Sequence, residues 1–311
     1  MKAKMLSGPV LFWALFLIVQ FLPAECRGGK LPVIASIFPV ADMVRQIGGE
    51  NVAVTLLLPA GASPHTFEPK PSMVKQFSTA RIFFMVGAGL EFWADKFLES
   101  SGDYPVRVVL SRGVSLIHSA GIHDTHDRST EKAQAPDHSS EIANPHIWLD
   151  PVIAKSMADK IVAALCAVDP KHAADYTRRG DRYQDELEAL DRLIEATAGT
   201  FRTREYVSFH ASWDYFARRY GLEPVGVIEA SPGRNPTPRQ IEHIVTQIRN
   251  YGIRAIFAEP QFNPKAAEVI AREGNVQVLL LDPLGGPEIK ERNTYIDLMK
   301  YNLDILQRAM K

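Results

Sequence analysis

The chain has 311 residues, and its 35 Lys and Arg against 36 Asp and Glu leave a formal charge of −1. Hydrophobic residues make up 46% of the chain and charged residues 23%, which is typical of a globular protein and excludes a disordered one. The near-zero charge argues against nucleic acid as a partner, and two cysteines are too few for a disulfide-dense scaffold or a Cys-rich zinc finger. The length predicts two domains, each with its own core.

The N-terminus has the pattern of a secretory signal peptide, which we predict over residues 1–28. Two lysines precede an apolar run of about ten residues, shorter than the roughly twenty that a membrane span needs. Lipid attachment at Cys26 is an alternative to simple cleavage, but we favour cleavage because Glu25 stands where a lipoprotein signal normally has a small residue. Either form of processing places the mature protein outside the cytoplasm, in the periplasm or an equivalent compartment.

The mature chain alternates predicted strands with predicted helices, which is the pattern of parallel sheets covered by helices on both faces. In the first half, the predicted strands are 32–38, 52–58, 81–86 and 106–110, and the predicted helices are 40–47, 72–80 and 92–98. In the second half, the predicted strands are 206–209, 225–228, 255–258 and 276–281, and the predicted helices are 212–220, 238–251, 264–273 and 295–310. The expected fold class is therefore α/β.

Residues 170–198 predict one long helix between the two halves. Apolar and aromatic residues recur there at helical spacing, charged residues fill the other faces, and there is no internal proline. At 1.5 Å per residue, such a helix would be roughly 40 Å long and could serve as a rigid strut. We therefore expect an N-terminal α/β lobe over 29–168, a connecting helix over 169–198 and a C-terminal α/β lobe over 199–311.

Residues 118–141 lack apolar periodicity and predict a polar loop. The loop contains four histidines, His118, His123, His126 and His138. They could belong to an ordinary solvated linker. Because aspartates are interleaved with them in an exported protein, we favour low-affinity metal contacts.

Three further histidines and one aspartate are each predicted in a loop or at a strand end. His65 follows the second strand, His146 lies in a loop, His210 follows strand 206–209, and Asp282 follows strand 276–281. Ligand sites in open α/β sheets form at such ends, and imidazole and carboxylate are the usual donors for a divalent first-row metal. Each residue alone could be a packed core residue. Together, from both halves, they predict a metal site between the lobes.

These segments resemble the metal-binding solute-binding proteins of zinc and manganese ABC transporters, over nearly the whole mature chain. The matching stretches are SPHTFEP, NPHIWLDP, FHASWDYFARRYGL, AEPQFNPKAAEVIA and LDPLGG. The resemblance implies two lobes of mostly parallel sheet flanked by helices and joined by one long rigid helix, with the metal in the cleft. It also implies a set of ligands and two further carboxylates that could support or replace a ligand. The implied ligands are His65, His146, His210 and Asp282, and the further carboxylates are Glu68 and Glu259.

The resemblance also implies the metal and the partner. In this family the third ligand is typically His in zinc proteins and a carboxylate in manganese proteins, and here it is His210. Three imidazoles and one carboxylate suit tetrahedral Zn²⁺, whereas Mn²⁺ prefers more oxygen donors. We therefore expect a monomer that binds Zn²⁺ outside the cytoplasm and delivers it to the membrane permease of an ABC transporter. Four protein ligands would leave no position for a reactive water, so we do not expect an enzyme.

Two other functions stay open on the sequence. A secreted zinc hydrolase could use His65, His146 and Asp282 as ligands and Glu259 as the base. A manganese-binding or adhesin member of the same family is the other alternative. An adhesin would bind a host or matrix protein whether or not its metal ligands are intact.

Overall fold

The computed structural model describes residues 29–94, 98, 105–119, 142–230 and 233–311. The predicted signal peptide and three of the loop histidines, His123, His126 and His138, lie outside the described residues. In the part of the chain that is described, no helix combines the length and the apolar character needed to cross a membrane.

The first half forms a four-stranded parallel sheet in the order β2-β1-β3-β4. Its strands are β1 (Leu31–Ala35), β2 (Val52–Leu56), β3 (Ile82–Met85) and β4 (Val106–Val109). The central strands β1 and β3 are apolar runs that are largely buried, as expected for parallel strands covered on both faces. The first strand ends earlier than predicted because helix α1 (Phe38–Gly48) begins there, with Pro39 in its first turn. Helix α2 (Val74–Thr79) precedes β3.

The middle of the chain carries the two longest helices of the described residues. A short antiparallel ribbon of β5 (His118–Ser119) and β6 (Ile142–Ala143) leads through a turn to α3 (Pro151–Val168). The Asp150 side chain caps α3 by accepting from two backbone N–H groups in its first turn. Helix α4 (Ala173–Ala198) packs along α3 and buries the apolar stripe that predicted it. It begins at Ala173 because residues 170–172 form a 3₁₀ turn.

The second half contains two parallel strand pairs, β7 with β8 and β9 with β10, and β7 also lies beside β9. The strands are β7 (Glu205–Ser208), β8 (Glu223–Val227), β9 (Ala255–Ala258) and β10 (Gln277–Leu280). The helices are α5 (Asp214–Tyr220), α6 (Pro238–Tyr251), α7 (Lys265–Gly274) and α8 (Tyr295–Met310). Parallel sheets flanked by helices, together with the long α4, confirm the predicted fold class.

The last helix connects the two halves. The Tyr295 backbone N–H, at the start of α8, donates to Asp42 Oδ2 at 2.8 Å, and the Tyr295 hydroxyl donates to the Trp148 carbonyl at 2.7 Å. Helix α8 also packs against α4 and α1. Because these contacts are buried, they hold the end of the chain against the first half. The lobe boundaries at 168 and 199 stay predictions, and "N-terminal lobe" and "C-terminal lobe" here mean residues 29–168 and 199–311.

Candidate metal centre

Three of the predicted ligands come from three separate loops that meet between the halves. His65 lies in the loop that follows β2, His146 directly precedes the turn Ile147–Leu149, and His210 follows β7. His146 and His210 are 4% and 5% exposed, and His65 is half-buried. The strand-end pattern therefore predicted the convergence of these side chains.

The Nε2 atoms of the three imidazoles face one another. His146 Nε2 lies 3.0 Å from His65 Nε2 and 3.0 Å from His210 Nε2. One ring nitrogen from each of the three histidines lies within 4.8 Å of the others. Zn–N bonds of 2.0–2.1 Å in a tetrahedron would place two nitrogens about 3.3 Å apart. The cluster is thus close to the geometry that a tetrahedral ion requires, and small shifts of the loops would admit the ion.

Burial keeps two of these imidazoles neutral. Burial, reinforced by the neighbouring His210, lowers the pKa of His65 to about 3. Burial also lowers the pKa of His146 well below the usual imidazole value, with further contributions from His210 and His65. A metal needs an unprotonated imidazole nitrogen, so these two side chains meet that requirement at neutral pH without first losing a proton.

The cavity around the histidines has apolar walls and a few buried oxygens. Trp148, Phe262, Pro283 and Leu284 line it, together with Ser63, Pro64, Glu259 and Gln261. Two buried oxygens at the cavity, Glu259 Oε2 and Gln261 Oε1, have no hydrogen-bond partner. Buried polar atoms without a partner are costly. Three imidazoles with adjacent unpaired oxygens therefore form a donor set that fits a divalent cation.

Glu259 lies behind His210. Its Oε1 is 2.7 Å from His210 Nδ1, outside hydrogen-bond alignment, and it accepts from the Ser212 hydroxyl at 3.1 Å. The carboxylate is therefore at the ring edge opposite Nε2. A carboxylate oxygen in this position can orient a metal-binding histidine through the ring nitrogen that does not bind the metal.

Asp282, predicted as the fourth ligand, lies outside the histidine cluster, and its role as a ligand stays a prediction. The side chain is fully buried, and four donors already surround its two oxygens. Oδ1 accepts from the Leu284 and Gly285 backbone and from Gln261 Nε2 at 2.8 Å, and Oδ2 accepts from Arg292 Nη1 at 2.8 Å. A carboxylate in this position stabilises the loop after β10 and the cation of Arg292.

The remaining predicted residues are less central. Glu68 has an exposed side chain and does not line the cavity. His118 lies in the ribbon strand β5, paired with Ala143, and is not in the cluster. The two other histidines of the described residues are not predicted ligands: His172 is bonded to Asp169 at the start of α4, and His243 is exposed on α6.

Sequence reasoning missed three residues around the cluster, Asn144, Trp148 and Gln261. Asn144 bonds directly to His146, Trp148 forms a wall, and Gln261 presents the unpaired amide oxygen. All three lie in the matching stretches NPHIWLDP and AEPQFNPKAAEVIA. An asparagine two residues before a candidate ligand could have been found from its habit of bonding the backbone two residues on.

Comparison with known proteins identifies the family. The sequence model of the family described as ZnuA, zinc-uptake complex component A, periplasmic, matches residues 33–309. The chain belongs to this family. The resemblance seen in the sequence is thereby confirmed.

Individual relatives agree with this assignment. The chain is 28% identical to the high-affinity zinc uptake system protein ZnuA of Bacillus subtilis, over 99% of this chain and 98% of that protein. It is also 28% identical to the zinc-binding protein AdcA of Streptococcus pyogenes, but it spans only 56% of the length of AdcA.

Two solved structures share the fold over nearly their whole length. A crystal structure of ZnuA has a TM-score of 0.78 and 27% identity, with 91% of this chain and 100% of that chain covered. The laminin-binding protein Lmb of Streptococcus agalactiae, described as a bifunctional protein with adhesin and metal-transporting activity, has a TM-score of 0.75 and 28% identity. The alignment with Lmb covers 90% of this chain and 99% of that chain.

Proposed function

We propose that this protein binds Zn²⁺ outside the cytoplasm and delivers it to the permease of an ABC transporter. The observation that carries the proposal is the cluster of three Nε2 atoms, with spacings of 3.0 Å from His146 to each of the other two. The names of the family and of the B. subtilis relative, which refer to zinc uptake, support it. His65, His146 and His210 would hold the ion, and it enters and leaves as cargo.

The donor types favour zinc over manganese. Three imidazoles are borderline donors that suit Zn²⁺, whereas Mn²⁺ prefers carboxylate and water oxygens in a larger shell. Cu²⁺ and Ni²⁺ also bind imidazole well, so metal availability outside the cytoplasm would contribute to selection. The fourth donor would come from an oxygen at the cavity, for which Glu259 Oε2 and Gln261 Oε1 are the candidates without a partner.

The surroundings of the cluster do not favour the hydrolase. That alternative needs Asp282 as a ligand and Glu259 as the base, but Asp282 is bonded to Arg292 and Glu259 lies beside His210 Nδ1. A general base must reach the water that it activates, on the metal side of the ring. The apolar walls of Trp148 and Phe262 leave little room for a substrate beside the ion. We infer that the protein binds and releases metal without chemical turnover.

Metal analysis and competition titration test the proposal. The mature protein, stripped with a chelator and reloaded, should take up one tight zinc equivalent, and Mn²⁺ should fail to displace it at equal concentration. A protein with no tight zinc equivalent, or with equal preference for Mn²⁺, would contradict the proposal. A growth assay in medium with little zinc tests delivery to the permease. Deleting the gene should abolish growth, and the wild-type chain should restore it.

The adhesin alternative can be separated with the same protein. Binding to immobilised laminin should be absent, or should be lost together with zinc binding, if metal transport is the function. Laminin binding that persists in a variant without zinc binding would establish adhesion as a second, independent activity of this chain.

We also propose that the histidines of residues 118–141 bind zinc weakly. Ser119 pairs with Ile142, so these two residues lie side by side, and a two-residue Asn-Gly turn could join them in place of residues 120–141. This deletion should remove weak zinc equivalents and leave one tight equivalent. Loss of the tight equivalent would show that a loop histidine belongs to the main site.

A further inference from the structure

Asn144 is a buried side chain at which the two lobes meet. It lies two residues before His146, is 5% exposed, and uses both ends of its amide. Its Oδ1 accepts from the backbone N–H of His146 at 3.0 Å and lies 2.8 Å from His146 Nδ1. Its Nδ2 donates to the Ala211 carbonyl at 2.6 Å and to Asp214 Oδ2 at 3.0 Å. The amide therefore has two acceptor contacts and two donor contacts, which matches its two oxygen lone pairs and its two N–H groups.

These contacts fix the orientation of the amide. The Ala211 carbonyl can only accept, so the group that faces it must be the NH₂ of Asn144. The backbone N–H of His146 can only donate, so the group that faces it must be the amide oxygen. Because an amide oxygen cannot donate, His146 Nδ1 must carry the proton of that contact. In the neutral ring, the free electron pair then lies on Nε2, the atom that faces His65 and His210.

The other end of the amide contacts the segment that follows the third histidine. Ala211 directly follows His210, and Asp214 begins α5 in the C-terminal lobe. The backbone of Asn144 contributes a parallel link, because its carbonyl accepts from the Tyr215 hydroxyl at 2.7 Å. One residue of the N-terminal lobe thus holds His146 from one side and the segment after His210 from the other.

We propose that Asn144 is the positioning residue of the metal centre, which holds His146 as the Nδ1–H tautomer and sets its distance to His210 across the lobes. The proposal rests on the proposed function in that the aligned nitrogens are taken to be zinc donors. Outer groups of this kind typically change metal affinity 10- to 100-fold when they are removed. Asn144 touches neither the cargo nor the cavity directly, and it acts through the two histidines.

Two variants separate the two roles. Asn144→Ala removes both, so the zinc Kd should rise by about 10- to 100-fold and the His146 ring should populate both tautomers. Asn144→Asp keeps an oxygen for His146 but places a second oxygen against Ala211 and Asp214, where only acceptors are present. It should retain the Nδ1–H tautomer and still bind zinc more weakly. Asn144→Asp also preserves the side-chain volume, so it serves if the alanine variant does not fold.

Gln184→Ala is the matched control. Gln184 Nε2 also ties two elements together, with donor contacts of 2.8 Å to the Lys155 carbonyl and to Asp159 on α3. It lies outside the cavity, so its loss should leave the zinc Kd unchanged. Comparing the two variants separates the effect of Asn144 on the zinc Kd from the general effect of losing an amide that links two elements.

The test combines zinc competition titration with ¹⁵N NMR of the histidine rings in the metal-free protein at neutral pH. The proposal expects Nδ1–H, with an unprotonated Nε2, for His146 in the wild type and in Asn144→Asp, and mixed tautomers in Asn144→Ala. A proton on Nε2 of wild-type His146, or an unchanged zinc Kd in folded Asn144→Ala, would overturn it. Because the NMR measurement uses no metal, a wild type that binds no zinc would refute the proposed function and leave the tautomer assignment to be judged separately.

Discussion

The histidine cluster and Asp282 were both predicted from positions in loops or at strand ends, yet their hydrogen-bond partners differ. Both arise from loops or strand ends, and His146, His210 and Asp282 are all buried. Within the part of the chain that is described, the Nε2 contacts recorded for the three histidines are to one another. The Asp282 carboxylate, by contrast, accepts from four donors and pairs with Arg292.

We infer from this difference that the histidines bind the metal and that Asp282 supports the fold. A side chain that binds a cargo ion must keep a donor atom without a permanent protein partner, because the partner would have to be displaced each time. The histidines satisfy this condition on the side that faces the cavity, and a second contact at Nδ1 orients His146. Asp282 does not satisfy it, because displacing Arg292 would leave this partly buried cation without its counter-charge.

The largest expected effect comes from removing one imidazole. His210→Ala should weaken zinc binding by about a thousandfold or more, near 4 kcal/mol, since outer contacts alone are worth up to a hundredfold. Zinc binds the native state, so the zinc-dependent rise in Tm should disappear. His243→Ala, at an exposed histidine of α6, is the control with the same substitution. An undiminished Tm shift in His210→Ala would remove His210 from the donor set.

The second test concerns Asp282. Asp282→Asn should cost about 3 kcal/mol of folding free energy, because it leaves Arg292 without its buried counter-charge. The zinc Kd should change by less than about tenfold, the smaller effect seen for groups outside the donor set. Urea unfolding of the metal-free variant and zinc competition titration measure the two quantities. A stable protein with abolished zinc binding would restore Asp282 as a ligand.

The third test concerns how the stability of the metal-free protein depends on pH. In the folded protein, His65 has a pKa of about 3 and the pKa of His146 is also lowered, whereas both return to about 6.5 on unfolding. Below pH 6.5 the unfolded chain therefore binds protons that the folded chain does not. The free energy of unfolding therefore decreases as the pH is lowered. The two histidines together should cost the metal-free protein about 2 kcal/mol between pH 6.5 and 5.5.

Urea unfolding at a series of pH values measures this loss. Buried carboxylates whose pKa is raised, such as Asp42, respond in the opposite sense, so the wild type is best compared with His65→Gln. The variant should lose less stability on acidification than the wild type. Identical pH profiles for the two proteins would show that His65 is not held neutral in the fold.

The smallest predicted effect is at Glu259. Glu259→Gln should weaken zinc binding by about tenfold, because the carboxylate beside His210 Nδ1 loses its charge while its shape is kept. Isothermal titration with a competing chelator measures the change. A loss as large as that of His210→Ala would instead identify Glu259 as the fourth donor.

Much of the fold could be predicted because it depends on local sequence. The apolar stripe of α4 predicted its length to within three residues. Thr237, which directly precedes Pro238, caps α6 in a capping box with Gln240. Asp169, which precedes Pro170 in the same way, accepts instead from His172 and Tyr176. A capping residue and a residue of a side-chain network look alike in sequence, because the competing partner is fixed only after the helix forms.

The site was predictable only in part for a related reason. Strand ends identify which side chains reach the interface between the lobes, and this was sufficient for the three histidines. The role of Asp282 depends on its contact with Arg292, which lies ten residues later. Because Arg292 lies outside any helix or strand, no periodic sequence pattern predicts this pair. The contact from Asn144 to the segment after His210 likewise depends on how two distant loops meet.

The most direct test of the account is zinc X-ray absorption on the singly loaded wild type and on Asp282→Asn. We predict three imidazole nitrogens at about 2.0–2.1 Å in both proteins, with the same oxygen contribution in each. His210→Ala, loaded at high zinc concentration, should show one imidazole fewer. Fewer than three imidazoles in the wild type, or an oxygen ligand that is lost in Asp282→Asn, would contradict the proposal that the histidines hold the ion without Asp282.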